Sequence, residues 1–160
     1  MGQTINNVDE LSIQLESLAN VKEDIKPLIE EHWQLVALNK NKIKLNPAWK
    51  EYARLDAAGA LRIFTARKGT QLVGYFVLII SKSIHYQDHL FATNDVIFVL
   101  PDHRAGATGD KLIQYAESYC KQAGVSLMTI NTKVHIPFDG TLLRKGFECI
   151  ERVYSKYLGD

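Results

Sequence analysis

Hydrophobic positions along the chain first alternate and then change period. Leu11, Ile13 and Leu15 alternate with Ser12, Gln14 and Glu16, which predicts a half-buried first strand. From Val21 onward, Ile25, Leu28, Ile29, Trp33, Val36 and Ala37 recur at intervals of three and four, the stripe of an amphipathic helix. Asn20 is placed to cap it, with Glu23 and Asp24 near the positive end of its dipole. Pro47 opens a second helix through Trp49, Tyr52, Ala53 and Leu55, and Gly59 ends it. Leu61 to Ala66 reads as a strand, Lys68-Gly69-Thr70 as a hairpin turn, and Leu72 to Ser83 as a long strand with an apolar middle. A polar connection, Ser83 to Asp88, carries His85 and Tyr86. Ala92 to Leu100 is the next strand, ended by Pro101, which cannot continue a central ladder.

A third helix starts near Thr108. Leu112, Ile113, Ala116, Tyr119 and Cys120 share one of its faces, and Gly124 suits a left-handed C-cap. Val125 to Ile130 reads as a strand, Phe138 to Lys145 as a short helix ended by Gly146, and Phe147 to Leu158 as a last strand or strand pair. The order is β-α-α-β-β-β-α-β-α-β. Short hairpins join the early strands and helices join the later ones, which implies a mixed sheet, antiparallel first and parallel around the Thr108 helix.

Length and charge narrow the class. A chain of 160 residues suits a single domain over 1–160 and buries enough surface to need no metal or disulfide staple. With 19 Lys and Arg against 18 Asp and Glu, the near-zero net charge argues against a strongly basic nucleic-acid binder. The longest apolar stretch, Leu72 to Ile80, is far short of the roughly 20 residues that cross a bilayer. The N-terminus lacks the basic and apolar regions of a signal peptide, and Asn6 stands where a myristoylation signal wants Ser or Thr. Cys120 and Cys149 form neither a metal-ligand pair nor a disulfide framework. A reducing cytoplasm is the expected location.

The stretch that carries chemistry runs from Asp95 to Ile113. It holds an apolar strand, Pro101, Arg104, a loop of small residues and a helix start. Small residues let backbone N–H groups close on an anion, and the helix N-terminus adds about half a positive charge. Arg104 supplies a planar donor fork. In physical terms this is a pyrophosphate cradle. It is neither the Gly-x-Gly-x-x-Gly dinucleotide fingerprint nor a P-loop, since no Gly-Lys-Ser/Thr occurs.

These residues resemble the GNAT superfamily of acyl-CoA-dependent N-acyltransferases. The family signature Gln/Arg-x-x-Gly-x-Gly/Ala aligns with Arg104, Ala105, Gly106, Ala107, Thr108 and Gly109. The element order matches from about residue 8 to residue 158, and Gly146-Phe147 matches the Gly-Phe after the family's fourth helix. His32-Trp33, His85-Tyr86 and the terminal Tyr-Ser-Lys-Tyr-Leu are similar to small GNAT proteins of bacteriophages and prophages. The resemblance implies an α/β (α+β) fold: a mixed, mainly antiparallel sheet of about six to seven strands flanked by about four helices. Splayed parallel strands would surround the motif helix. It also implies acetyl-CoA as co-substrate, no metal, and an amine acceptor. Pantetheine would lie along Ile97, Phe98 and Val99. The pyrophosphate would sit on Arg104 to Gly109 and the helix start at Asp110, and Asn131 would lie near the acetyl or pantetheine end.

Two departures accompany the match. Ala107 replaces the first motif glycine, and Asp110 puts a carboxylate beside the expected phosphates. The family's usual base is an acid on the motif strand, and Asp95 holds that place, at the head of an apolar strand. The family's general acid is a tyrosine before Gly-Phe, where this chain has Leu142. His135, in the loop after the fifth predicted strand, and Tyr154, on the last, are the substitutes. Glu31, His32, His85 and Tyr86 are the candidates for acceptor binding, the last two because exposed loops carry recognition.

Two other functions compete with acetyl transfer. One is a catalytically silent GNAT-fold module that binds a host or phage protein, suggested by Ala107, Asp110 and the missing tyrosine. The other acts on nucleic acid through Lys121, Lys133, Arg144, Lys145, Arg152 and Lys156, a set that a solvated basic face balanced by acids elsewhere explains better. No membrane partner is expected, and a homodimer is left open.

Overall fold

The computed structural model describes residues 10–159. The N-terminal positions read for a targeting signal, Asn6 among them, lie outside the described residues. The elements are β1 (Leu11–Glu16), α1 (Leu18–Val36), α2 (Trp49–Ala57), β2 (Leu61–Lys68), β3 (Gln71–Lys82), β4 (Leu90–Val99), α3 (Thr108–Gln122), β5 (Val125–Thr129) and α4 (Asp139–Arg144). A 3-10 turn, Pro101–His103, links β4 to α3. One sheet holds the five strands in chain order, antiparallel throughout except for the parallel pair β4–β5. No described helix is long and apolar enough to cross a membrane.

Each face of the sheet is covered by helix. Leu61, Ile63, Tyr75 and Val77 pack against Leu18, Val21 and Ile25 of α1. Phe64, Ala66, Phe76 and Leu78 pack against Leu112, Ile113 and Ala116 of α3. The period-two alternation of β2 and the helical stripe of α3 dictate this sandwich directly. On the α1 face, β2 also buries Thr65 and Arg67. Arg67 donates to Glu16 at 2.8 and 3.2 Å, to Asp24 at 2.8 Å and to the Thr70 carbonyl at 2.9 Å, and Thr65 donates to Glu16. Burial pushes the Glu16 carboxyl up, but the hydrogen bonds from Arg67 and Thr65 hold it below the usual range. The cluster ties β1, β2 and α1 into one unit.

Four sequence expectations are corrected. The first helix begins at Leu18, so Asn20 lies inside it, and Asp56 of α2 accepts the Leu18 N–H at 3.0 Å in place of a local cap. Pro47 stands before the second helix, which starts at Trp49. Residues 147–159 form no strand among the described residues, and Ile150, Val153, Tyr154 and Leu158 are exposed. The sheet therefore has five strands rather than six to seven. β-branched and aromatic residues make a strand only where an edge pairs with them and a layer covers their apolar side, and this segment has neither.

Gly74 of β3 has no room for a side chain against β4. A Cβ there would lie 3.0 Å from the Phe98 carbonyl oxygen and 3.1 Å from Val99 Cγ2. Gly74→Ala is therefore expected to destabilise the protein by about 1–3 kcal/mol through overpacking. Urea unfolding should show a lower midpoint.

Candidate active site

The site begins where β4 leaves its partners. Val77 pairs with Val96 but Leu78 pairs with Asn94, so Asp95 is the extra residue of a bulge and stands out of the ladder. On the other side, β4 and β5 pair only from Leu90/Val125 to Thr93/Thr129. Beyond that point β4 continues to Val99 while β5 stops, and the two strands part. The Asn94 side chain accepts the Asn131 N–H at 2.7 Å, where the gap opens. A cleft of about 950 Å³ fills the gap.

One wall of the cleft is the start of α3. Ala107 caps that helix from the left-handed region, φ 59°, and among the described residues no side chain caps its first-turn N–H groups. A Cβ on Gly106 would meet nothing within 4 Å, and one on Gly109 would meet only Val99 Cγ2 at 3.9 Å. The small residues thus keep open space above uncapped amides, as an anion cradle requires. Arg104 donates through Nε to the Val99 carbonyl at 2.8 Å and lies over the Phe98 ring, which leaves its outer nitrogens available. Asp110 is paired with Lys145 at 3.3 Å, so its charge is compensated beside the cradle. An alanine at positive φ costs about 1 kcal/mol. Ala107→Gly should raise stability by up to about that amount, visible as a higher Tm.

The floor and second wall come from β4, α1, α2 and residues 43–47. The Tyr52 hydroxyl donates to Asp95 Oδ2 at 2.5 Å. Burial, and then the Asp95 contact, push the Tyr52 phenol far above its usual value, so it stays protonated. Among the described residues no group hydrogen-bonds to Oδ1 of Asp95, and Asp95 lines the cleft. His32 stacks on Phe98, with centroids 4.8 Å apart, and its Nδ1 lies 3.3 Å from the Tyr75 hydroxyl. Burial, followed by the charges of Lys133 and Arg104, lowers its pKa to about 4.

His32 is therefore neutral at pH 7. A ring whose folded pKa is depressed supports the fold fully above its unfolded value, near 6.5, and loses that support as pH falls towards 4. The loss is about 3 kcal/mol over this window. Urea unfolding at pH 7 and pH 4.5 should show the wild type losing more stability than His32→Gln.

The model of the acetyltransferase (GNAT) family matches residues 24–137, most of the chain, from within α1 to the residue before Phe138. The chain belongs to the GNAT acetyltransferase family. It is an acyltransferase by that membership. No curated protein sequence matches it. In fold, this GNAT enzyme is similar to an aminoglycoside acetyltransferase from an uncultured soil metagenomic sample, solved with sisomicin. The TM-score is 0.72 at 14% identity, covering 93% of this chain and 95% of that one. A ribosomal-protein-alanine N-acetyltransferase from Brucella melitensis biovar Abortus 2308 has TM-score 0.67 at 20% identity, covering 94% and 99%. Glucosamine-6-phosphate N-acetyltransferase from Arabidopsis thaliana has TM-score 0.66 at 17% identity, covering 92% and 99%.

The GNAT cleft gathers many of the residues singled out from the sequence. Asp95, Ile97, Phe98, Val99, Arg104, Ala107, Gly109, Asp110, Asn131 and His32 all line it. Ala105 and Gly106 lie in the adjoining turn, and the Thr108 side chain is buried in the core. Asp95 is exposed rather than desolvated, because the bulge turns it outward. Other candidates lie elsewhere. His135 and Glu31 are exposed and line no part of the cleft, and Tyr154, 86% exposed, belongs to the segment that forms no strand. His85 and Tyr86 occupy the loop before β4, at the end of that strand away from the gap. Leu142 is buried among core side chains. Tyr52 was the residue missed. Its helical spacing with Trp49 reads as packing, and no sequence signal places it against Asp95. The basic set is dispersed too: Lys121 pairs with Glu117, Lys145 pairs with Asp110, and Lys133 and Arg144 line the cleft.

Proposed function

We propose that this enzyme transfers an acetyl group from acetyl-CoA to a primary amine held beside Asp95. One observation carries the proposal: a single cleft joins the uncapped start of α3, the unpaired end of β4 and the free oxygen of Asp95. Acetyl-CoA supplies an acetyl carbon already activated as a thioester. The chain supplies position and proton handling. The amides of residues 105–110 and the Arg104 guanidinium match a diphosphate in charge and geometry. The unpaired edge at Ile97 to Val99 offers backbone groups to an extended, amide-bearing arm. Asp95 Oδ1 is positioned to take the amine proton as nitrogen attacks, while Tyr52 fixes Oδ2 and with it the carboxylate plane. In net terms an N–C bond forms, a C–S bond breaks and the amine proton ends on the CoA thiol.

The direct test is thiol release from acetyl-CoA in the presence of a panel of primary amines. Amine-dependent release is expected. Release that is independent of amine, or none with any amine, contradicts transfer at this site.

A further inference from the structure

The lining of the cleft also bears on which amine enters it. Four basic side chains line it, Lys44, Arg104, Lys133 and Arg144, against two acids, Asp95 and Asp110. Asp110 is already paired with Lys145. Arg104 lies at the helix start, Lys44 donates to the Lys40 carbonyl at 3.0 Å, and Arg144 ends α4 next to the Lys145–Asp110 pair. Lys133 is different. It sits in the turn after β5, held by a bridge to Ile136, and it lines the same cleft as Asp95 and His32, whose pKa its charge lowers and that of Asp95 raises. Among the described residues no carboxylate lies within ion-pair distance of Lys133. The second wall is apolar, with Ile29, Trp33, Val36, Ile43 and Leu45 turned to the cleft, and Ile43 is left 54% exposed.

A polycationic acceptor would meet this basic lining with one uncompensated acid to receive it. A purely apolar amine would leave Lys133 unanswered. Building on the transfer proposed above, we infer that the acceptor is a primary amine on an apolar or aromatic frame that also carries an anionic group, the chemistry of an apolar amino acid. Its amine lies at Asp95, its carboxylate at Lys133 and its side chain against Trp33 and Ile43.

The test compares kcat/KM for phenylalanine and leucine with that for phenethylamine and isoamylamine, which lack the carboxylate, and for sisomicin. The amino acids should exceed their decarboxylated counterparts by about tenfold or more, and Lys133→Glu should abolish or reverse that ratio. A ratio between two acceptors cancels any effect of the substitution on acetyl-CoA. The inference is overturned if the wild type uses the simple amines or sisomicin as well or better. It is also overturned if Lys133→Glu leaves the ratio unchanged, or if neither amino acid is acetylated. Calorimetric titration of the same protein with acetyl-CoA separates the two levels: binding with the wrong acceptor order removes this inference alone, and absence of binding removes the transfer as well.

Discussion

Asp95→Asn should lower kcat by about 10²–10⁴-fold while the protein remains folded and still binds acetyl-CoA. The substitution is nearly isosteric. An asparagine carbonyl can still accept the Tyr52 hydroxyl that now donates to Oδ2, so the local packing survives. What is lost is the ability to take a proton from the incoming amine. Because Asp95 is the extra residue of a bulge, it carries no cross-strand partner whose loss would disturb the sheet. Steady-state kinetics paired with a binding titration check this outcome. Unchanged kcat in a folded Asp95→Asn variant would remove Asp95 from the mechanism. Tyr52→Phe provides the comparison. It keeps the carboxylate and loses only the group that orients it, so its kcat should fall less.

Gly109→Glu should weaken acetyl-CoA binding by about a thousandfold or more without lowering Tm. The fold tolerates a side chain there, since a Cβ would make only an ordinary contact with Val99 Cγ2. A carboxylate in the first turn of α3 even suits the helix dipole. The same carboxylate, however, projects into the cleft against the phosphates. Two like charges about 4 Å apart at a protein surface repel by about 4 kcal/mol, which is about three orders of magnitude in affinity. Gly109→Ala adds only a methyl group and should weaken binding far less. Equal losses from the two variants would mean that shape, not charge, decides the cradle.

Much of this was legible because it rests on local periodicity. The Leu11–Ile13 start of β1, the apolar run of β3 and the Leu112–Ile113–Ala116 face of α3 each form as read, whereas Leu15 is exposed and Glu16 turns inward to Arg67. The open loop before α3 was legible because Arg104 to Gly109 places small residues between a strand and a helix. Three features were not. The bulge that presents Asp95 depends on how Leu78 and Val77 pair across the sheet, which no one-strand pattern contains. The Tyr52–Asp95 contact joins residues 43 positions apart, and an aromatic at core spacing gives no sign of its polar neighbour. The segment from Phe147 to Leu158 carries β-branched and aromatic residues such as Ile150, Val153 and Tyr154, yet whether it pairs depends on a free edge and a covering layer elsewhere. The proton-handling role for Tyr154 relied on that terminal region lying beside the cleft and that for His135 on the loop after β5, and neither side chain lines the cleft.

The measurement that tests the central claim most directly is isothermal titration of the wild-type protein with acetyl-CoA. Saturable binding at about micromolar Kd, near −8 kcal/mol, is the result expected from a cradle of uncapped amides beside an open β4 edge. No heat of binding from a protein that circular dichroism shows to be folded would contradict it.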